Sequence, residues 1–586
     1  MKRNQVFTLI SIFNDEPSPR NFNKLDINKI FPLTPNAFCK LTNLKNIEIL
    51  DIKSVLTENV QKKILLKLKS FEKNLEVYLS KDKEISLAGI EAARNSSHFI
   101  MSTFLTIEEI IKPFGPWAIY DGQNLKKFYD INLAVQLIFI KIHKKCYLDF
   151  TKKYSQRGKF FVKFINKLIF YYIKGKKTIW FSGNAKVYNF RKISDEIKKL
   201  DKNSVFIYCE KPDLKSPFRS LKELIKLILN FNKKSLFVGV VPIISEGKNY
   251  SSIIKYSIEL SNFNIDKKLN DYISNTISNI ISNSESSVDY LSKTFNFYKP
   301  KCVILHHARW DEGTNLGLSA KNTNINAYLI SHGSHTMGDT STAKYANKVL
   351  SRGMLSSELN TISVIQSPLA MATYNSQNIN SKYIISNPIM WGQNNLKAPK
   401  ILKKTFTILH AGTYKRLGSR LWIYETASEY LYGIKLLIEA VEKIDNVHLI
   451  VRIRDEPFEC DLKAVKKLLP KTNSWKLSTT SSFSDDLRRA DMLVSYSSTT
   501  IEEALSSMKP VGLLGGTSIY KHIPNPRKKI NLRKALYHLN KKDLVKQIEN
   551  IKNLHLNKPL QKTELKEFLW FKDNLDQKAI LKKITL

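Results

Sequence analysis

The chain has 586 residues, 43% of them hydrophobic and 25% charged, which excludes a disordered, fibrous or small disulfide-stapled protein and leaves room for about three to four domains. The 93 Lys and Arg against 52 Asp and Glu give a formal charge of +41, a bias toward anionic partners; heavy use of Lys, Asn and Ile spreads that charge along the whole chain, and no aromatic-basic RNA signature accompanies it, so nucleic acid is not an expected partner. The five cysteines, Cys39, Cys146, Cys209, Cys302 and Cys460, show no CxxC spacing, which argues against zinc and for a reducing compartment.

The amino terminus, Met1-Lys-Arg-Asn-Gln-Val-Phe-Thr-Leu-Ile, meets polar and acidic residues before a signal-length apolar core develops. The longest clean apolar run, Leu236 to Ile244, falls well short of the roughly 20 residues that span a bilayer. A cytoplasmic location is expected. Residues 1–175 combine helical periodicity over Val60 to Leu79 with short apolar runs and carry no phosphate-binding signature, so they read as an accessory region. At its end, Lys152 to Lys177 places Phe161, Phe164, Ile165, Leu168, Ile169 and Tyr172 at helical spacing with Lys159, Lys163, Lys167 and Lys174 between them. This basic amphipathic helix either packs its stripe on the core or lies on an anionic membrane face, which would make the chain peripheral there.

From Thr178 the texture changes to short apolar strands alternating with helices: Thr178 to Gly183, Ser204 to Tyr208, Ser235 to Val241, Cys302 to Leu305, Ala327 to Ile330 and Tyr383 to Ile385. Alternation of this kind predicts a parallel, doubly wound sheet over 176–392. The Ser- and Asn-rich segment Leu269 to Leu291 reads as an exposed helix or helix pair. A Pro-containing break, Ser386 to Gln393, and the basic linker Lys397 to Lys404 lead into a second alternating series over 393–548: Phe406 to Gly412, a helix from Ser428 to Ile444, Val447 to Arg452, and Met492 to Ser495. Residues 549–586 read as a helical tail. Before it, the basic cluster Arg527, Lys528, Lys529, Arg533 and Lys534 is either an anion-facing patch or a solvated face.

Chemistry concentrates where strands end. Leu305-His-His-Ala-Arg-Trp-Asp-Glu-Gly and Leu329-Ile-Ser-His-Gly-Ser-His put His306, His307, Arg309, Asp311, Glu312, His332, Gly333 and His335 after two neighbouring strands, where ligands bind in doubly wound sheets. No HxH or HxxxH spacing fixes a metal among them. In the second series the run Asp491-Met-Leu-Val-Ser-Tyr-Ser-Ser-Thr-Thr-Ile-Glu-Glu-Ala-Leu-Ser-Ser-Met-Lys-Pro-Val ends a strand in hydroxyls just before a helix. That pattern is an anion site: Ser497 and Ser498 would donate to a phosphate at the positive helix end, with Glu503 placed to accept from a ribose.

This run resembles the S-S-x-T-x-x-E-A-L-x-x-x-K-P-V pattern of GT-B glycosyltransferases of bacterial surface polysaccharide synthesis, of the capsule, lipopolysaccharide and teichoic-acid type, with Ser497, Ser498, Thr500 and Glu503 in the matching positions. His332-Gly333 resembles the (Q/W)-H-G element of the same transferases, with Ser331 replacing the usual residue before His. Leu409-His-Ala-Gly-Thr-Tyr-Lys-Arg resembles their first strand-to-helix turn. The resemblance implies an α/β, GT-B architecture of two Rossmann-like domains facing a cleft. It implies a nucleotide-sugar donor held by Gly412, Thr413, Lys415, Arg416 and Arg452, with Arg454 standing where the family's R-x-H-P element has His. It also implies a glycan or lipid-linked acceptor on the side of His306, His307, Arg309 and Gly333. A base for an inverting displacement would come from Asp311, Glu312, His332 or His335, with Asp311 preferred. The absence of a D-x-D triplet agrees with transfer that needs no obligatory metal, the nucleotide sugar being co-substrate rather than cofactor. Paired serines like those of CMP-sugar and CDP-polyol transferases favour a cytidine donor over UDP or GDP. A non-hydrolysing nucleotide-sugar 2-epimerase of the same fold, or a non-catalytic nucleotide-binding scaffold, are the competing readings.

Overall fold

The computed structural model describes residues 6–12, 27–41, 47–83, 85–120, 124–146, 156–183, 190–210, 235–239, 249–263, 265–309, 311–331, 333–334, 336, 344–345, 348, 351–359, 361–377, 379, 381–391, 403–412, 425–454, 462–515, 532–571, 575 and 577–585. Three β-sheets organise them.

The first unit runs β1 Phe7–Ser11, β2 Ile27–Pro32, α1 Pro35–Leu41, β3 Glu48–Ile49, α2 Glu58–Lys81, α3 Leu87–Ile111, β4 Trp117–Tyr120, β5 Leu125–Phe128 and α4 Ile131–Cys146. Its strand order is β3-β2-β1-β4-β5, parallel except for the β4–β5 pair. The accessory region is thus itself an α/β layer, which its sequence conceals because its strands are short. Helix α3 is buried on nearly all sides; small polar residues are accommodated there by bonding back to their own turn, as Ser96, Thr103 and Thr106 do.

The second unit comprises α5 Gln156–Ile173, β6 Thr178–Ser182, α6 Phe190–Leu200, β7 Val205–Glu210, β8 Ser235–Gly239, α7 Ser251–Leu260, α8 Lys267–Tyr298, β9 Cys302–Leu305, α9 Asp311–Asn322, β10 Ala327–Ile330, β11 Ile362–Ile365, α10 Pro368–Ser376 and β12 Tyr383–Ile385. Its sheet is parallel, in the order β12-β11-β10-β9-β6-β7-β8. Helix α8 starts on an Asp266 cap that accepts from the Leu269 N–H at 3.0 Å and ends at Lys299 in the left-handed region, φ 44°. At 32 residues it is roughly 48 Å long. The predicted exposed segment is instead a strut. Ile273, Ile277 and Ile281 join the core of the first unit, while Val288, Leu291 and Phe295 join that of the second.

The third unit comprises β13 Phe406–Gly412, α11 Ala427–Glu442, β14 Val447–Ile453, α12 Leu462–Leu468, β15 Trp475–Leu477, α13 Phe483–Arg489, β16 Met492–Ser495, α14 Thr500–Ser506, β17 Val511–Leu513, β18 Leu536–His538, α15 Leu544–His555 and, last, α16 Gln577–Thr585. Its sheet is parallel in the order β15-β14-β13-β16-β17-β18. The chain is therefore α/β with the two expected doubly wound sheets. The segment read as one tail serves two cores: Ile548 and Ile551 of α15 pack in the third unit, whereas Ile580, Leu581 and Ile584 of α16 cross back onto Phe190, Ile193 and Ile197 of α6. The first unit also grips the third, with Cys39 of α1 in the third core and a Lys53–Glu429 ion pair of 2.7 Å.

Arg533 of the second basic cluster is neither an anion patch nor a solvated group. It binds Glu564 at 2.9 Å and the carbonyls of Leu554, Lys558 and Pro559 at 2.6–3.0 Å; Arg527, Lys528 and Lys529 lie outside the described residues.

Because Leu581 is fully buried against α6, Leu581→Ala should cost about 2–5 kcal/mol. The unfolding midpoint in urea should fall accordingly, whereas Lys582→Ala, on the same helix, should leave it nearly unchanged.

Candidate functional site

In the third sheet, β14 and β15 lie on one side of β13 and β16, β17 and β18 on the other. Chain order reverses between β13 and β16, and such a reversal opens a crevice at the carboxyl ends of the two strands. A narrow cleft lies there, bounded by His410 and Gly412 of β13, Ser495 and Ser497 at the end of β16, Tyr430 and Gly433 of α11, and Glu425. Helix α11 is fixed by a capping box in which Thr426 and Glu429 satisfy each other's backbone N–H groups. A Cβ built on Gly433 would meet nothing within 4 Å, so this turn of the helix faces open space.

The cleft is polar, and besides its neutral groups its lining includes the buried carboxyl of Glu425. Burial pushes the His410 imidazole down to about 4, so at neutral pH it has one donor and one acceptor nitrogen. His410 Nδ1 and Ser495 Oγ are buried without a hydrogen-bond partner in the protein. An orphaned polar atom in a cleft is a group that a ligand can satisfy. Sequence reasoning missed His410, Tyr430 and Ser495; their signal was the strand-end position alone.

Of the predicted donor residues, Ser497 lines this cleft and Ser498 sits beside it, both half-buried. Ser498 Oγ accepts from the Thr500 N–H at 3.3 Å, and Thr500 Oγ1 has no partner. Helix α14 has only seven residues, so the hydroxyls and local N–H groups, more than a long macrodipole, would meet an anion. Glu503 is half-buried. Arg454 is exposed at the end of β14 and donates its backbone N–H to the Gly412 carbonyl at 3.2 Å. Arg452 is occupied elsewhere: its Nη1 donates to Asp486 at 2.9 Å and to the Ser481 carbonyl at 2.7 Å. Burial alone would raise the Asp486 pKa, but hydrogen bonds from Ser478, Ser481 and Arg452 hold it below the usual range. Thr413, Lys415 and Arg416 lie outside the described residues.

The second sheet repeats the topology, with β6 between β7 and β9. At its reversal the His306 N–H donates to Ser182 Oγ at 3.3 Å, and the rings of His306 and His307 stand 3.9 Å apart. Both are buried, His306 against Phe190 at 5.7 Å. Arg309 is buried too, its guanidinium 4.9 Å from the Phe99 ring of α3, so the first unit walls this crevice. Asp311 and Glu312 begin α9; their side chains, and His332 and His335 altogether, lie outside the described residues. Among the described residues no group of three or more His, Cys, Asp or Glu is placed to hold a metal ion.

The two crevices meet through the loop after β10. The Ser334 N–H donates to Glu502 Oε1 of α14 at 2.9 Å, and Ser506 Oγ donates to the Trp391 carbonyl at 3.3 Å. A Cβ on Gly333 would come within 2.8 Å of Thr499 Cγ2; glycine is needed here because one unit's backbone rests on the other's helix start. Glu502 was not singled out from the sequence, where its neighbour Glu503 drew attention. Burial pushes the Glu502 carboxyl up to about 7, against the opposing bond from Ser334, and its Oε2 has no partner.

No protein-family model and no curated protein matches this chain. Solved structures resemble it at low identity. S. aureus MnaA in its UDP co-structure is 12% identical, with a TM-score of 0.38 over 70% of this chain and 95% of that one. The UDP-GlcNAc 2-epimerase from Neisseria meningitidis bound to UDP-GlcNAc is 12% identical, TM-score 0.36, over 70% and 99%. A glycosyltransferase from Rickettsia africae is 14% identical, TM-score 0.39, over 70% and 97%. Similarity this distant leaves the function to be inferred from the site.

Since the folded pKa of Glu502 is raised from 4.5 to about 7, its contribution favours the fold fully below pH 4.5 and is lost as pH rises through 7. Glu502→Gln cannot ionise. Its stability relative to the unsubstituted protein should therefore improve by roughly 3 kcal/mol between about pH 4.5 and pH 8, measured by urea unfolding at both pH values; the depressed histidines are common to both proteins and cancel. A pH-independent difference would mean that the carboxyl is not sequestered between the units.

Proposed function

We propose that this chain is a glycosyltransferase that moves a sugar from a nucleotide-sugar donor to a glycan or lipid-linked acceptor. The observation that carries this reading is the polar cleft at the strand reversal between β13 and β16, set against a second crevice at the reversal between β6 and β9. The nucleoside occupies the cleft beside His410 and Tyr430, with its phosphate toward Ser497 and Ser498. Thr413, Lys415 and Arg416 join it on the sequence argument, and Arg454 stands exposed at the adjacent strand end. Arg452 reaches phosphate only by sharing or leaving Asp486, so its role here is secondary. The acceptor enters over the second sheet, on the side of His306, His307 and Arg309.

The step is a displacement. The acceptor hydroxyl loses its proton to a carboxylate or imidazole, its oxygen bonds to the sugar's anomeric carbon, and the bond from that carbon to the donor phosphate breaks with its electron pair going to phosphate. Asp311 is the preferred base, with Glu312, His332 and His335 as alternatives. Donors aimed at the leaving phosphate lower the barrier electrostatically without an obligatory metal. Contact between the units through Ser334 and Glu502 shields the reacting groups from water. A cytidine nucleotide is the favoured donor carrier, on the paired serines.

A second reading, a nucleotide-sugar 2-epimerase, is supported by Glu502, whose carboxyl near 7 between the units suits moving a proton to and from a bound sugar. It would convert the donor without any acceptor.

Gly433→Ala tests the cleft directly, because the added methyl meets no neighbour within 4 Å and occupies space that a ligand would need. Thermal scans with CMP, CDP, UDP and GDP should show at least one nucleotide stabilising the protein, as RT ln(1 + [L]/Kd) requires. The variant should be as stable as the parent and insensitive to that nucleotide. An undiminished response would move the donor site elsewhere. Replacing both Ser497 and Ser498 by Ala should weaken the same nucleotide by about 1.5–3 kcal/mol in calorimetry.

Asp311→Asn should lower kcat by about 100-fold or more while donor affinity stays constant. Turnover of donor in the absence of acceptor, abolished by Glu502→Gln and indifferent to Asp311→Asn, would decide for the epimerase.

A further inference from the structure

Helix α5 has two apolar faces, and only one of them is used. Ile169, Phe170 and Ile173 are buried in the core of the second unit, with Phe170 5.2 Å from Tyr298. On the opposite side Phe164, Leu168 and Tyr171 are 48%, 46% and 83% exposed. Their spacing of i, i+4 and i+7 aligns them in one row. Lys167 and Lys174 are exposed beside this row, and the Lys176 ammonium lies 3.1 Å from the centre of the Tyr172 ring. At the end of the neighbouring helix α8, Phe297 is 64% exposed and stacks edge-on against Tyr298 at 4.7 Å. Among the described residues no helix is long and apolar enough to cross a membrane.

We propose that this row of Phe164, Leu168 and Tyr171, flanked by Lys167 and Lys174, docks the protein on the surface of an anionic lipid bilayer. Two arguments select that occupant. A second copy of this chain would set lysines against lysines in a protein of charge +41, and three partly exposed side chains fall far short of the roughly 800 Å² per partner that a stable protein interface buries. A bilayer needs less. Apolar side chains enter the boundary between headgroups and acyl chains while lysines stay at the phosphate level, and the two contributions add. Each well-placed lysine should strengthen lipid binding about fivefold at low ionic strength, and salt should screen that part.

The docking is independent of the donor cleft, and its test separates the two. The full chain is sedimented with vesicles of phosphatidylglycerol and phosphatidylcholine in equal parts, and with phosphatidylcholine vesicles, at low and high salt. Binding should be confined to the anionic vesicles and should weaken with salt. It should fall at least tenfold for Lys167→Glu combined with Lys174→Glu, and also for Leu168→Ser combined with Tyr171→Ser. Both variants should keep the parent's unfolding temperature and its nucleotide response, because Ile169, Phe170 and Ile173 are untouched. Equal binding by both variants, or none by the parent at low salt, would overturn the proposal. So would a lipid-free doubling of mass that Leu168→Ser abolishes, which would assign the row to a second copy of the chain.

Discussion

A parallel strand is buried on both faces, and in this chain each sheet covers the strand that comes first in the sequence on both edges as well. β1, β6 and β13 each sit inside their sheet, with later strands added first on one side and then on the other, and the residues of β1 and β6 are buried without exception. Winding in two directions from a central strand leaves a gap where no crossover helix passes. The cleft beside His410 and the histidine pair beside Ser182 both occupy such gaps. Neither depends on an unusual local motif. They follow from where the first strand of each series was placed.

Three rigid connections hold the gaps in relation to one another. Helix α8 contributes to the cores of the first and second units, α16 returns from the third unit to the second, and Lys53 of the first unit pairs with Glu429 at the start of α11, the helix that walls the cleft. The remaining contact, Ser334 to Glu502, is chemically different from these. Moving the units apart would hydrate a carboxyl that burial now holds near 7, so protonation and contact between the units are thermodynamically linked. The linkage falls in the pH range where a general acid or base operates.

Several of the basic side chains are structural. Arg94 binds Glu76, Glu91 and Glu358 at 2.6–3.2 Å and so ties α2 and α3 to the second unit, Arg533 clasps Glu564 and three carbonyls, and Lys403 pairs with Asp491 at 2.9 Å where the third sheet begins. Such pairs contribute more through position than through net energy, since partly exposed ion pairs are individually weak. The arginine that sequence comparison placed at the donor phosphate, Arg452, belongs to this group. Among the described residues the cleft is lined instead by His410, Ser495 and Tyr430 together with the carboxyl of Glu425.

The sequence by itself determined the two large α/β units, because alternating apolar runs and helical periodicity are local properties, and it located the strand ends at Leu305, Ile330, Gly412 and Ser495 where side chains become available to ligands. It also marked Ser497 and Ser498, whose hydroxyls follow an apolar strand. It did not reveal the sheet in residues 1–128, whose strands of two to six residues are too short for a periodic signal. Nor could it separate Glu502 from Glu503, adjacent carboxylates on one short helix of which only the first is sealed by the backbone of Ser334, a residue 168 positions away. The pairing of Arg452 with Asp486, the two-core use of α8, and the division of α5 into a packed face and an open one are likewise decisions of packing. Burial and partnership depend on which distant segments arrive at a surface, and a pattern along one segment carries no information about that.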